Sequence, residues 1–421
     1  MTRAFYTICL RALAPVLWLW MALRARKAGG EWGILAPERF GRHALPPGLR
    51  NPVWVHAVSL GETRAALPLV QALLDRGLPV LLTHTTATGR QEGARQFAAA
   101  IARGQLRQTW LPYDFPQAAR RFLKHFQPRC GVLIEREVWP NLLAEARLAG
   151  IPMVLASARF SQSSLRQAGW MGGLLREALG GLHAVLAQGE DDARRLEQAG
   201  ARAPRVVGNL KFDMAMPTAA MQAGMRWRAQ AGRRVIAIAS TREGEDEMFV
   251  RALARLPQDE PLLVWLIPRH PQRFDAAAAA LEAAGIPYVR RSLGQAEQPP
   301  APPVRVVLGD TLGEMPFYYA TAEVAIVAGS FAPLGGQNLI EACAAGTPVI
   351  VGPHVHNFAD AVRDAVAAGA ALQVADADAA VRAARDLLAD TSRRAAMAQS
   401  AHRWIARHRG ATLRIMQALP L

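Results

Sequence analysis

Cysteine is scarce in this chain: Cys9, Cys130 and Cys343 are the three in 421 residues, and they stand far apart. They form neither a disulfide framework nor a metal cluster, which points to a reducing compartment. Metal-ligand spacing is also lacking. His354 and His356 read as a polar pair in a loop, and Asp376 and Asp378 as caps of the Ala-rich helix that follows, so no metal is expected. Acidic residues are in deficit, 34 Asp and Glu against 49 Lys and Arg, which leaves a formal charge of +15 at pH 7. That balance suits nucleic acid, anionic lipid or phosphorylated substrates. Zinc spacings and aromatic–basic strands are missing, so nucleic acid is not expected as a partner.

What is present begins with an apolar run, FYTICLRALAPVLWLWMAL (residues 5–23), interrupted by Arg11 and Pro15. Its length matches a bilayer core. No small-residue cleavage site follows, which argues against a cleaved signal peptide. Arg24, Arg26 and Lys27 follow directly, and the positive-inside rule puts that flank in the cytoplasm. Three readings stand: an embedded or spanning anchor, an interfacial helix, or a helix packed on the protein. Trp18 and Trp20 suit an interfacial position under either membrane reading.

The remaining chain is too long for one ordinary core and reads as two domains. The stretch VWVHAVSLGETRAALP (residues 53–68) passes from β-formers through a glycine turn into a helical apolar pattern. It predicts the first βα unit of a doubly wound sheet, whose ligands sit beyond the carboxyl ends of strands and on helix N-termini. Glu62 in that turn reads either as a helix-start acid or as a general base at the mouth of a cleft. The helix N-terminus should favour its charged form. Further on, Glu135 and Glu137 flank Arg136 after the buried strand GVLI. They form either an exposed salt-bridged turn or part of the cleft. Arg159 reads equally as a solvated cation or as a contact for an anionic substrate, whereas Lys211 reads first as a surface lysine and second as a residue facing the cleft.

A second alternation of strands and helices runs from residue 235, with polar or glycine-rich turns at the ends of several strands. Those turns meet the needs of a nucleotide pocket: glycines admit a phosphate to the backbone, and helix N-termini supply N–H donors. Arg269 is suited to a forked contact with phosphate, and Glu341 to accepting from ribose hydroxyls. The GGQN turn alone is weak, and the Pro-rich QAEQPPAPP reads as a surface loop.

Taken in order, the motifs HAVSLGE, THTTATG, LPYD, EREVWPN, ASAR, GNLKFD, STREGE, IPRHP, GDTLGEM, GGQNLIEA and GPHVHNF resemble those of the 3-deoxy-D-manno-octulosonic acid (Kdo) transferases. The resemblance implies an α/β chain of GT-B fold. An anchor over residues 1–28 would precede an acceptor domain over 29–206 and a CMP-Kdo-binding domain over 207–421. The two Rossmann-like domains would face each other across a cleft, with the final helix returning to the first. It implies an inverting, metal- and cofactor-free transfer of Kdo from CMP-Kdo to a lipid A precursor (lipid IVA), at the cytoplasmic face of the inner membrane and its anionic leaflet. By the same resemblance Glu62 is the general base, and Glu135 and Lys211 support the transition state. CMP would be met by Pro268, Arg269, Gly313, Glu314, Met315, Asn338, Leu339, Ile340 and Glu341. Two positions depart from the family pattern: Gln337 where histidine is expected, and Leu60 where a smaller branched residue is common. The nearest rival is another GT-B lipid glycosyltransferase that uses a UDP-sugar.

Overall fold

A computed structural model describes residues 1–28, 31–44 and 48–421. It divides into two compact units, Met1–Met214 with His408–Leu421, and Ala215–Arg407. Residues 207–214, expected to open the second domain, therefore belong to the first. The boundary expected at residue 29 falls outside the described residues.

In the first unit seven parallel strands form one sheet: β1 (Val53–His56), β2 (Val80–His84), β3 (Leu106–Trp110), β4 (Cys130–Ile134), β5 (Met153–Ala158), β6 (Ala184–Ala187) and β7 (Arg205–Val206). Their spatial order is β3-β2-β1-β4-β5-β6-β7. The central strands are buried from end to end, as a sheet covered on both faces requires. Between β1 and β4 the winding reverses, with Val53 opposite Cys130 and His56 opposite Leu133. The carboxyl ends of those two strands thus flank the topological switch point, where ligands of open α/β sheets bind. The C-terminal helix Ala411–Ala418 packs Ile415 and Met416 into this unit's core. Asp213 caps its start, accepting from Gly410 N at 2.7 Å and Thr412 N at 2.6 Å.

The N-terminal helix, Arg3–Ala28, is long and apolar enough to cross a membrane by length and composition. One face of it is nevertheless seated on the first unit. Tyr6 Oη donates to Asp114 Oδ2 (2.9 Å), Thr7 Oγ1 to Asn141 Oδ1 (3.1 Å), and Arg11 Nη2 to Gln117 Oε1 (2.7 Å). Ala14 is buried, and the Trp18 ring lies 5.7 Å from both Phe40 and Tyr113. Arg11, which breaks the apolar run, is thus part of the seat. The opposite face carries Ile8, Val16 and Leu19, 64%, 64% and 63% exposed. Asp114 and Asn141, from the LPYD and EREVWPN motifs, form the seat together: Asp114 also accepts from Asn141 N and Leu142 N, and burial pushes its carboxyl up to about 6.

The second unit repeats the plan with β8 (Arg234–Thr241), β9 (Leu262–Pro268), β10 (Tyr288–Arg290), β11 (Val306–Leu308), β12 (Val324–Val327), β13 (Val349–Val351) and β14 (Ala371–Gln373), all parallel. The order β10-β11-β9-β8-β12-β13-β14 puts its switch point between β8 and β12.

Candidate active site

Beyond β1 the chain turns at Ser59, the N-cap of the helix Leu60–Asp75, and Ser59 and Glu62 form a capping box. Glu62 Oε2 accepts from Val58 N at 2.6 Å and Ser59 N at 3.2 Å. Among the described residues no donor reaches Oε1. The two readings of Glu62 are therefore compatible: one oxygen caps the helix, and the other is left to take a proton. The expected charge state is corrected. Burial first, then the charges of Glu135 and Glu137, push the Glu62 carboxyl up to about 8, and the two N–H donors pull only weakly the other way. Desolvation and like charge outweigh the helix terminus here.

Glu135 follows β4 directly, with φ +64°, in the left-handed region that side chains other than glycine rarely adopt. Such backbone costs about 1–2 kcal/mol, and cases of it gather where a side chain must be aimed. Glu135 meets Lys211 Nζ at 2.6 Å, with side chains 11% and 15% exposed. Arg136 is exposed and makes no ion pair among the described residues, so the salt-bridged turn considered from sequence is not formed. Lys211 is held in a short 3-10 turn, Leu210–Asp213. Asn209 Oδ1 accepts from Lys211 N (2.9 Å), Asn209 Nδ2 donates to Gln188 Oε1 (3.1 Å), and Gln188 Nε2 donates to the Ser157 carbonyl (3.0 Å). Ser157 has φ +50° and accepts from Leu210 N through Oγ. Sequence reasoning missed Gln188 and Ser157, which lie on different elements. Glu62, Glu135 and Lys211 come together on one unit.

In the second unit the sequence placed nucleotide-binding residues after β9, β11 and β12. Arg269 follows β9, is exposed, and is fixed through its N–H to the Thr241 carbonyl at 2.8 Å. Pro268 ends β9 and is buried. Gly313 has φ +87°, a conformation only glycine adopts freely. Met315 begins the helix Met315–Thr321. The Glu314 side chain is committed within the unit: it takes Arg291 Nη2 at 2.9 Å and also Thr311 and Tyr318 hydroxyls, and Arg291 and Thr311 hold its carboxyl below the ordinary range despite its burial. Asn338 Nδ2 donates to Glu341 Oε1 at 3.0 Å. Leu339 and Ile340 point into the core, so a ligand meets them only through their main chain.

A residue that sequence reasoning passed over organises this switch point. Glu245, fully buried, accepts from Arg242 N (2.9 Å), Gly329 N (2.6 Å), Phe331 N (2.8 Å) and Ala332 N (3.2 Å). One carboxylate thereby ties the turn after β12 to the turn after β8. Gln337, the departing residue, packs on Gly329, where an added Cβ would lie 2.7 Å from Gln337 Cγ. Among the described residues no group of three or more His, Cys, Asp and Glu side chains is arranged to hold a metal ion.

Two doubly wound units, one bearing an oriented carboxylate and cation, the other glycine-rich turns at its own switch point, are the architecture of the GT-B fold. HepE from Anabaena, solved with UDP and glucose, shares that fold at 15% identity, with a TM-score of 0.59 over 87% of this chain and 99% of HepE. A family model described as 3-deoxy-D-manno-octulosonic-acid transferase matches residues 36–214, and one described as glycosyl transferases group 1 matches residues 296–404. The 3-deoxy-D-manno-octulosonic acid transferase of Bordetella pertussis is 65% identical over 100% of this chain and 99% of its own length. The transferase of the same name in Haemophilus influenzae is 31% identical over 100% and 98%. The chain belongs to the Kdo transferase family.

Proposed function

We propose that this Kdo transferase moves Kdo from CMP-Kdo to a hydroxyl of a lipid A precursor, with inversion and without a metal. The acceptor oxygen attacks the anomeric carbon, the bond to the CMP phosphate breaks, and CMP leaves as an anion. The acceptor proton passes to Glu62 Oε1. The observation that carries this reading is the division of labour in Glu62: Oε2 is pinned by Val58 N and Ser59 N, so Oε1 has a fixed direction and, among the described residues, no competing donor. A base must come within hydrogen-bond reach of the proton it takes, and an oxygen so held is available for that contact. Lys211 and Glu135 supply a paired charge beside it. Incubating the protein with CMP-Kdo and a lipid A precursor, followed by mass analysis, tests the reading. An unmodified lipid, or turnover of a UDP-sugar instead, overturns it.

Arg269 and the turns after β11 and β12 are assigned to CMP. Arg269→Ala should weaken CMP binding by roughly 1.5–3 kcal/mol, the worth of a charge-assisted contact. Calorimetry that returns unaltered CMP affinity removes Arg269 from the donor site.

We further infer that the N-terminal helix lies along the cytoplasmic leaflet of the inner membrane. Its seated face runs from Tyr6 to Trp18, which favours an interfacial helix over a spanning one, and its free face is apolar. The formal charge of +15 suits an anionic leaflet. Ile8→Glu, Val16→Glu and Leu19→Glu together should move the protein from the membrane to the soluble fraction with the melting temperature of the core unchanged. Retention on membranes would assign the attachment to another surface.

A further inference from the structure

Arg11 is the single charged residue between Arg3 and Arg24 in the N-terminal helix. An arginine within an apolar helix is costly unless it meets a polar partner, water or an anion. Arg11 meets Gln117, whose Oε1 takes Nη2–H at 2.7 Å. That partner is neutral, and among the described residues no carboxylate pairs with Arg11, so its charge is uncompensated.

Beside this contact lies an open hollow of about 220 Å³, lined by Arg11, Phe40, Phe115, Gln117, Ala118 and Arg121. Arg121 is exposed on the helix Pro116–Phe126 and, among the described residues, takes part in no hydrogen bond or ion pair. Its root is fixed: a Cβ added to Gly41 would lie 3.0 Å from Arg121 Cβ. Its neighbour Arg120 is paired with Glu145 at 2.9 Å, so unpaired charge is not the rule on this helix. Two guanidiniums from two helices therefore share a hollow that no carboxylate lines, with two phenylalanine rings beside them. Guanidinium forks fit phosphate, and the rings fit hydrocarbon. An amphiphile with a phosphate at its polar end meets both halves of that lining. The hollow is smaller than the roughly 300–1,000 Å³ of a site that encloses a drug-sized ligand, so it admits a headgroup while the rest of the molecule lies outside. Outside, apolar surface is at hand. Ile8 stands three residues before Arg11, and Pro15 and Leu19 four and eight after it, on the same side of the helix and all exposed.

We propose that this hollow is a headgroup site for an anionic phospholipid of the leaflet. Arg11 and Arg121 take the phosphate, Phe40 and Phe115 cover the glycerol and the first acyl carbons, and the chains run along Ile8, Pro15 and Leu19. The bound phosphate bridges the N-terminal helix to the helix Pro116–Phe126, which tightens the seat made by Tyr6, Thr7 and Arg11. The acyl part of the inference rests on the N-terminal helix lying in the interface; the headgroup part does not.

Short-chain phosphatidylglycerol titrated into the full-length protein in neutral detergent should raise its melting temperature and saturate, since a ligand of the folded state stabilises it. Short-chain phosphatidylcholine should not. Arg121→Gln removes a side chain with no partner in the fold. It should keep the melting temperature of the lipid-free protein and weaken phosphatidylglycerol binding by about tenfold or more, as for a lost charge-assisted contact. Arg11→Gln should weaken it likewise. Arg251→Gln, an equal loss of charge at an exposed position of the second unit, should change nothing. Equal weakening by Arg251→Gln, or unaltered affinity in Arg121→Gln, reduces the effect to diffuse charge and overturns the proposal. Glycerophosphoglycerol, the same headgroup without chains, binding as tightly as the lipid would make the hollow a soluble-anion site. Displacement of phosphatidylglycerol by a lipid A precursor would make it part of the acceptor site. Either outcome overturns the assignment. The membrane reading fails separately: if the triple Ile8, Val16 and Leu19 variant stays on membranes while the detergent titration still shows Arg121-dependent binding, the headgroup site stands and the placement of the helix does not.

Discussion

Glu62→Gln should fold, bind CMP as before, and lose turnover by about 10²–10⁴-fold, the range for a positioned general base. The amide keeps a carbonyl oxygen where Oε2 accepts from Val58 N and Ser59 N, so the capping box need not open. What disappears is the oxygen able to take a proton. The stability consequence has a definite sign. The folded-state carboxyl sits at about 8, above its ordinary 4.5, so its relief from charge is complete below 4.5 and is lost as pH rises through 8. The unaltered protein should therefore lose stability over that window relative to the Gln variant, by roughly 1 kcal/mol per pH unit at the steepest. Its kcat/KM should climb over the same window as the base ionises. A residue serving only as a helix-start acid would behave oppositely: the Gln variant would cost about 1 kcal/mol at neutral pH and leave the rate intact. Melting temperature, CMP affinity and turnover measured on one preparation separate the two, and near-normal turnover would end the base assignment.

The sheets were legible because their strands are short apolar runs punctuated by Gly, Pro and polar turns, and the period of that punctuation is a local property. Glu62 was legible for the same reason, since the capping box lies within four residues of it. Its charge state was not. That depends first on burial by the folded chain and then on Glu135 and Glu137, which are distant in sequence and arrive only because β4 pairs with β1. Glu245 was hidden in the same way: an acid after a glycine turn looks like a first-turn acid, and only the β8–β12 pairing delivers the three N–H groups of residues 329–332 to it. The N-terminal run shows the limit of composition. Hydropathy sees its length, but the partners of Tyr6, Thr7 and Arg11 lie more than a hundred residues away, and they decide which face is free.

Lys211→Met should reduce turnover by about 10²–10³-fold, the loss on removing one group that stabilises developing charge. Lys211 Nζ is 2.6 Å from Glu135 Oε1 in a pair that is largely buried, so removing the cation strands a carboxylate. Breaking such a pair by one partner costs about 3–5 kcal/mol when burial is complete, and less here because both side chains keep some exposure. The stranded charge also bears on Glu62, whose carboxyl Glu135 already raises, so less base is ionised at neutral pH. Two effects thus lower the rate, and a third, loss of stability, can imitate them. Adding Glu135→Gln to Lys211→Met removes the stranded charge. The double variant should recover the melting temperature and should bring the acid limb of the pH profile down toward lower pH. If Lys211 acts on the reacting groups, turnover at saturating substrate and at a pH above the limb stays low even so. If it merely neutralises Glu135, turnover returns with stability, and Lys211 is then a partner of Glu135 and nothing more.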